Sequence, residues 1–225
     1  MKKRTGALLP ALVMLLSLMA PAEILADIYG ETSGGSSKPA IKPSTGDKPV
    51  TPVTPAAPEA TFQDVPKTHW ASEAVEFVAA QGLFNGVSAD TFAPDATTTR
   101  AQLMTVLARA AKADTTGNAL TKGMEWAVAN GISDGSDPSG SITREQLVTM
   151  LYRYAVKAGM DVSVGENTNI LPYDDALQIS EWAIPAMQWA CGAGIINGTS
   201  ASTLSPNGLA TRAQVAAMMQ RFCQL

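Results

Sequence analysis

Apolar residues recur at helical spacing in three stretches of the chain after residue 99. Counted from Arg100, Arg144 and Arg212, apolar side chains occupy the third, sixth, seventh and tenth positions that follow. Such positions share one face of an α-helix, so each stretch is predicted to form an amphipathic helix with a buried stripe. The predicted core positions are Leu103, Val106, Leu107 and Ala110, then Leu147, Met150, Leu151 and Tyr154, and finally Val215, Met218, Met219 and Phe222.

Each of these helices is preceded by the same start signal, Thr-Arg-x-Gln, at 99–102, 143–146 and 211–214. Threonine at the N-cap and glutamine three residues later form a capping box, which satisfies two backbone N–H groups. The signal therefore predicts that each helix begins at its arginine. A second arginine follows nine residues later and is interpreted as a solvated or salt-bridged side chain near the helix end. These second arginines are Arg109, Arg153 and Arg221.

A shorter apolar helix is predicted before each start signal. In the first copy it runs through Ala71–Gln81, with Val75 and Val78 on the buried face. A glycine suited to a left-handed C-terminal cap closes it in every copy, at Gly82, Gly131 and Gly194. Asn-Gly or Asp-Gly then predicts a turn with positive φ. These turns are Asn85-Gly86, Asp134-Gly135 and Asn197-Gly198.

The three copies are predicted to be tandem helix–loop–helix repeats, of which the second is eroded. A proline stands six residues before the arginine in each copy, but the interval from closing glycine to arginine is 18, 13 and 18 residues in turn. The first and third copies also open on an aromatic-x-Asp motif, at 62–64 and 173–175. They carry Trp70 and Trp182 twelve residues before the closing glycine, where the second copy has Ala119.

The first sixty residues have a different composition from the repeats. A basic start, a short apolar run and small residues predict a secretory signal peptide over 1–26, cleaved after Ala22 or Ala26. The alternative is an uncleaved N-terminal anchor, although the apolar run falls short of the ~20 residues of a bilayer span. Six prolines within 27–60 predict a semi-extended linker. The repeats are assigned to 61–112, 113–160 and 171–225.

Net charge and residue counts limit the kinds of partner and site that the chain is expected to have. The net charge is −4, from 16 basic and 20 acidic residues, and it does not indicate a nucleic-acid partner. With two cysteines and one histidine, neither a metal site nor a cofactor is predicted. Cys191 and Cys223 fall at positions that are small and apolar in the other copies, so they are predicted to be core residues. Both a disulfide and two buried thiols are compatible with this placement.

The combined motifs resemble the S-layer homology domain. They are aromatic-x-Asp, the tryptophan that opens an alanine-rich helix, Gly-[Leu/Ile]-x-x-Gly, the proline loop and Thr-Arg-x-Gln, and they extend over nearly all of 61–225. The resemblance implies an all-α fold in which three repeats form a pseudo-threefold prism with a central helical bundle. It also implies non-catalytic binding of secondary cell-wall polysaccharide, often bearing pyruvate ketals, that tethers exported proteins to the bacterial cell wall.

The start signal also predicts a binding site. A helix N-terminus presents unpaired N–H groups, and an arginine at the first helical position adds a fork for a carboxylate. Arg100 and Arg212 are therefore predicted to bind an anionic glycan, with glycines and tryptophans as walls. Arg144 is expected to contribute less because the second copy lacks the tryptophan and part of the loop. The predicted walls are Gly86, Gly198, Trp70 and Trp182.

Two alternatives to glycan binding follow from the same residues. Each first arginine could instead form a structural salt bridge with Asp64 or Asp175 of a neighbouring repeat. The whole chain could be an exported scaffold for protein–protein interaction without glycan binding, or could hold a protein cargo through its linker. A glycoside hydrolase is disfavoured, because that chemistry requires two placed carboxylates and no acidic pair recurs among the copies. No transmembrane segment is predicted once the signal peptide is removed.

Overall fold

The computed structural model describes residues 62–225. The predicted signal peptide and linker lie outside these residues. Residues 62–225 contain α-helices and short 3-10 helices but no β-strand, which confirms the all-α prediction. The α-helices are α1 (Ser72–Ala80), α2 (Arg100–Ala110), α3 (Ala119–Ala129), α4 (Arg144–Lys157), α5 (Ile184–Gly192) and α6 (Arg212–Cys223). The 3-10 helices are Ser163–Asn167, Ala176–Gln178 and Glu181–Ala183.

The start signals form capping boxes at α2, α4 and α6, as predicted. At α2, the Thr99 hydroxyl accepts a hydrogen bond from the Gln102 N–H, while the Gln102 side chain accepts one from the Thr99 N–H at 2.9 Å. The same reciprocal pair is present at α4 and α6. Each of the three helices consequently begins at its arginine, with that side chain directed by a fixed first turn.

The glycines divide into two kinds. The glycines that close α1, α3 and α5 have positive φ values of 65°, 70° and 70°, which confirms the predicted C-terminal caps. The expectation of positive φ is wrong for Gly86 and Gly198, which are not among the residues with positive φ, and holds for Gly135 (φ 76°). A Cβ at Gly86 would lie 2.5 Å from the Ser88 carbonyl oxygen, so close backbone approach requires glycine there.

The helices pair across repeats and close into a ring. The first helix of each repeat packs on the second helix of the preceding repeat, because α3 contacts α2 and α5 contacts α4. The ring closes because α1 contacts α6 in the same way. The predicted core stripes of α2, α4 and α6 face these partners, and Leu103, Leu147 and Val215 are fully buried.

A cyclic set of hydrogen bonds joins the segments just before the capping boxes. The Thr98 N–H donates to the Ala210 carbonyl, Ile142 N–H to the Thr98 carbonyl, and Ala210 N–H to the Ile142 carbonyl, each at 2.9 Å. All three residues stand two positions before the arginine of their repeat. These contacts agree with the pseudo-threefold arrangement that the resemblance implies, while the prism with a central bundle stays a prediction.

Gly123 marks the closest approach between α3 and α2. A Cβ added there would lie 2.5 Å from Thr105 Cα and from its hydroxyl oxygen. Alanine stands at the corresponding positions of the other repeats, Ala74 and Ala186, eight residues before the closing glycine. The second repeat therefore packs its first helix against the preceding helix without room for a methyl group.

We expect Gly123→Ala to lower the free energy of unfolding by about 1–3 kcal/mol, which is the usual cost of overpacking. The loss should appear although alanine favours helix over glycine by about 1 kcal/mol. Urea unfolding followed by circular dichroism measures it. Glu125→Ala, at an exposed position of the same helix, is the control and should change stability by less than about 0.5 kcal/mol. A more stable Gly123→Ala variant would show that α3 can move outward at little cost.

Candidate functional site

Each first arginine reaches into the loop of the next repeat. The Arg212 Nε donates to the Phe92 carbonyl at 2.7 Å and its Nη2 donates to the Asn85 carbonyl at 2.7 Å. The Arg144 Nε donates to the Leu204 carbonyl at 2.8 Å and its Nη2 to the Asn197 carbonyl at 2.9 Å. Both arginines are buried, with 3% of their surface exposed. Most of each guanidinium thus serves to hold one repeat against the next.

The aspartates of the aromatic-x-Asp motifs bind the two loops that Arg212 and Arg144 contact. The Asp64 carboxylate accepts hydrogen bonds from the Phe92 N–H at 2.8 Å and the Ala93 N–H at 2.6 Å. Asp175 holds the corresponding loop of the third repeat through the N–H groups of Leu204 and Ser205. The alternative of a structural salt bridge with Asp64 or Asp175 is therefore close to the geometry of Arg212 and Arg144. The difference is that these arginines donate to loop carbonyls and not to the two carboxylates.

Burial and these aspartates shift the pKa values of Arg144 and Arg212 in opposite directions. Burial lowers the pKa of Arg144 and Arg212, while the charge of Asp175 raises the pKa of Arg144 and the charge of Asp64 raises that of Arg212. An arginine pKa starts so high that both groups stay charged at neutral pH. The buried positive charge of Arg212 also lies 4.1 Å from the centre of the Phe84 ring and 4.6 Å from that of Phe92, which stabilises it further.

Arg100 differs from the other two. Its Nε donates to the Ser136 carbonyl at 2.8 Å, but its Nη2 binds the Asp134 carboxylate at 3.1 Å instead of a loop carbonyl. The side chain of Arg100 is 13% exposed and that of Asp134 is 69% exposed. The second repeat, which has no aromatic-x-Asp motif, thus provides the balancing carboxylate from its own loop.

One open cleft combines residues of all three repeats. We call it the Arg144 cleft; its volume is about 450 Å³. The first repeat contributes an indole ring, the second an arginine, and the third a glycine turn and one face of α6. The lining residues are Trp70, Arg144, Asn197, Gly198, Thr199, Gln214, Ala217, Met218 and Arg221.

The structure therefore groups the predicted site residues differently from the sequence analysis. It brings Trp70, Gly198 and Arg144 into one cleft, whereas Arg100, Arg212, Gly86 and Trp182 are not among its lining residues. The assumption that Arg144 must rely on the tryptophan and loop of the second repeat is wrong. Because helices pair across repeats, Arg144 meets the loop of the third repeat and the tryptophan of the first.

Sequence reasoning missed four polar lining residues of the cleft. Arg221 was interpreted as a solvated or salt-bridged cation near the helix end. Its Nη1 donates to the Ile195 carbonyl at 3.2 Å, and the side chain also lines the cleft. Arg109 and Arg153 make the equivalent bonds to Leu83 and Ile132. The recurrence of arginine at the ninth position was the available signal. The other missed residues are Asn197, Thr199 and Gln214.

Trp70 is exposed but held in place. Its side chain is 65% exposed, and its indole lies 5.7 Å from the His69 ring at an interplanar angle of 31°. His69 is oriented in turn, because its Nδ1 accepts a hydrogen bond from the Ala71 N–H at 3.1 Å. A large apolar ring is thus presented to solvent at the first turn before α1, beside two arginines.

Trp182 is the second exposed indole, with 53% of its surface accessible. It lies in the 3-10 helix Glu181–Ala183, which packs on α4. The buried Glu145 carboxylate binds the Ser180 N–H at 3.0 Å and the Ser180 hydroxyl at 2.9 Å, directly before this helix. Trp182 is therefore anchored at the start of α4 and is not among the residues that line the Arg144 cleft.

The cysteines do not offer a reactive group. Both are free thiols that are partly buried against the core. Burial raises the pKa of Cys191 to about 11, and burial also raises the pKa of Cys223. Neither is a thiolate at neutral pH, so neither has the reactivity of a catalytic cysteine.

Residues 62–225 contain neither a metal-binding cluster nor a membrane-spanning helix. No group of three or more histidine, cysteine, aspartate or glutamate side chains there is arranged to hold a metal ion. No helix of this part of the chain has both the length and the apolar character needed to cross a bilayer.

Comparison with known proteins agrees with the repeat analysis. The family model of the S-layer homology domain matches residues 61–104 and 172–216, which are the first and third repeats. The second repeat lies outside both segments, yet it keeps the capping box, the first arginine and the left-handed closing glycine. Two segments of this chain thus match the S-layer homology domain.

Curated relatives include cell-surface proteins and enzymes. An exoglucanase, XynX, of Acetivibrio thermocellus is 27% identical over 175 residues, covering 71% of this chain and 16% of the relative. A cellulosome-anchoring protein of that species is 31% identical over 130 residues, covering 49% and 29%, respectively. Cell surface glycoprotein 1 is 46% identical over 46 residues, covering 20% and 2%. The chain spans less than a third of the length of these relatives. Family and relatives together support a bacterial cell-wall or cell-surface location.

Proposed function

We propose that this chain is a non-catalytic anchoring module that binds an anionic secondary cell-wall polysaccharide in the Arg144 cleft. The polymer is the peptidoglycan-attached kind, and a pyruvate ketal is the acidic group that we assign to it. The observation that carries the proposal is the Arg144 cleft itself, which combines an exposed indole with two arginines. Its lining contains no carboxylate.

The charge of the cleft favours an anion. Arg144 and Arg221 both line it, and the hydrogen bonds of Arg144 to residues 62–225 use only its Nε and Nη2. Nη1 thus remains available to a carboxylate, and a charge-assisted hydrogen bond of this kind contributes about 1.5–3 kcal/mol. The side chains of Asn197, Thr199 and Gln214 add neutral hydrogen-bonding groups of the kind that bind sugar hydroxyls.

The shape of the cleft favours a sugar. The Trp70 ring presents a flat apolar face to the cleft, against which the C–H groups of a pyranose can pack. Gly198 leaves the loop backbone uncovered, and a side chain there would collide with the carbonyl oxygens of Ser200 and Thr203. A flat, partly polar ring with an acidic substituent fits these walls.

The same lining argues against hydrolysis. Glycoside hydrolysis generally requires a pair of carboxylic acids placed on either side of the scissile bond. The polar lining of the Arg144 cleft consists of arginines, amides and a hydroxyl. Such groups bind and orient a glycan without providing the acid and the base, so we assign binding alone to this chain.

Sedimentation with cell-wall sacculi tests the proposed function. Protein lacking residues 1–26 should pellet with purified sacculi that retain their secondary polysaccharide, and should stay in the supernatant once the polymer has been stripped. Removing only the pyruvate ketal from the polymer should also abolish pelleting if the acidic group is recognised.

Equal pelleting with native and stripped sacculi would contradict the proposal and favour the alternative, an exported scaffold that binds protein. If the protein still pelleted after removal of the ketal, the proposal of glycan binding would stand, but the pyruvate ketal would not be the group that is recognised. Release by added salt is expected as well, because exposed charge–charge contacts weaken with ionic strength.

A further inference from the structure

The three repeats do not form three equal grooves. In the Arg144 cleft, the arginine of one repeat, the loop of the next and the tryptophan of the one after that come together. Arg100 contacts the loop of the second repeat and Arg212 that of the first. From the same cyclic relation we infer that Trp182 is the counterpart of Trp70 for Arg100, and that Ala119 is its counterpart for Arg212.

The Arg212 groove lacks an aromatic wall, and α3 approaches α2 closely beside it. Ala119 stands where the other grooves have tryptophan, and the Thr105 hydroxyl donates to the Ala119 carbonyl at 3.1 Å. Four residues on, Gly123 brings α3 so near α2 that a Cβ would lie 2.5 Å from the Thr105 Cα. The start of α3 therefore covers the face of α2 that corresponds to the open face of α6.

The Arg100 groove has its tryptophan but contains a carboxylate of its own. Asp134 Oδ1 lies 3.1 Å from Arg100 Nη2 and also accepts hydrogen bonds from the Ser136 N–H at 3.0 Å and the Ser136 hydroxyl at 2.8 Å. The corresponding acceptors in the other loops are the neutral carbonyls of Asn85 and Asn197. A negative group thus occupies the place next to the guanidinium, and it is 69% exposed.

The ionised state of this carboxylate is secured by its contacts. Hydrogen bonds from Ser136, and then the charge of Arg100, hold the pKa of Asp134 below its usual value. An anionic ligand that approached Arg100 would meet a like charge already paired with the arginine. The Arg144 cleft presents two positive charges and no lining carboxylate.

We propose that Asp134 is a specificity-determining residue that closes the Arg100 groove to anionic glycans, so that one chain binds one acidic sugar, in the Arg144 cleft. This inference rests on the proposed function. It distinguishes the three otherwise repeated arginines by their surroundings: Arg144 lines an open cleft without a carboxylate, Arg100 is paired with an exposed carboxylate, and Arg212 has alanine in place of an aromatic wall.

Titration calorimetry with a monovalent probe tests the inference. The probe is a methyl hexoside that carries a 4,6-linked pyruvate ketal, and the matched neutral hexoside serves as its reference. Wild-type protein should bind one equivalent of the acidic probe. Asp134→Asn keeps an oxygen acceptor for Arg100 and Ser136 but removes the charge, and should raise the stoichiometry to two. The first site should keep its affinity within twofold.

Matched variants separate the explanations. Asp137→Asn makes the same change of net charge in the same loop, at a carboxylate other than the one that pairs with Arg100, and should leave the stoichiometry at one. In the Asp134→Asn background, Trp182→Ala should remove the new site alone. Two equivalents bound by wild-type protein, or one bound by Asp134→Asn, would overturn the inference and leave the proposed function intact. No binding of the acidic probe by any variant would overturn both.

Discussion

Replacing Trp70 by alanine is expected to weaken binding of the acidic monovalent sugar about tenfold or more, with little change in stability. The ring is 65% exposed, so its removal leaves no buried cavity. Covering roughly 60 Å² of an indole contributes about 1.5 kcal/mol at about 25 cal/mol per Å², and 1.4 kcal/mol is a factor of ten in affinity. Calorimetry gives the affinity, and thermal unfolding shows that the fold is kept.

Trp182→Ala is the matched control for this prediction. Trp182 is similarly exposed at 53% and occupies the equivalent position, but it is anchored at α4 and does not line the Arg144 cleft. Its removal should change affinity by less than twofold. If Trp182→Ala lost as much affinity as Trp70→Ala, the assignment of binding to the Arg144 cleft would be wrong.

Arg212→Ala is expected to have the largest effect on stability, a loss of about 3–5 kcal/mol, as is usual when one partner of a buried charged network is removed. The change leaves the buried Phe92 carbonyl and the Asn85 carbonyl without their donor and opens a space beside two phenylalanine rings. It also leaves the Asp64 carboxylate without its nearby positive charge. The thermal midpoint should fall by roughly 6–20 °C, at about 2–4 °C per kcal/mol for a domain of this size.

Arg109→Ala provides the comparison for Arg212→Ala on the neighbouring helix α2. Arg109 is only partly buried. Its two hydrogen bonds, at 3.3 Å to the Leu83 carbonyl and 3.4 Å to the Thr115 hydroxyl, are longer than the 2.7 Å bonds of Arg212. Its loss should cost about 1 kcal/mol. Urea unfolding measures both variants. An Arg212→Ala protein of nearly wild-type stability that failed to bind glycan would show that Arg212 acts on ligand after all.

Local features of the fold could be predicted from the sequence because they depend on neighbouring residues. A capping box needs only Thr99 and Gln102, and a closing glycine needs only its own backbone angle. The buried stripes likewise follow from the 3.6-residue period of one helix. These predictions are confirmed in all three repeats.

The grouping of the site residues could not be predicted in this way. It depends on which repeat each loop and helix contacts, and the Arg212 side chain reaches a carbonyl 127 positions earlier in the chain. Treating each repeat as a unit placed Arg144 with the residues that the second copy lacks. The eroded copy instead shares its cleft with two better-preserved repeats, so erosion of one repeat removes a wall from a groove elsewhere in the ring.

The contact between α1 and α6 also determines when the ring of helices can close during synthesis of the chain. In an open array of repeats, each unit can pack on its predecessor as soon as it has been made. Here α1 packs on α6, so the faces that these two helices bury against each other stay uncovered until α6 has been made. Contacts between helices so far apart in the sequence slow folding. Closure of the ring therefore comes after the contacts between successive repeats have become possible.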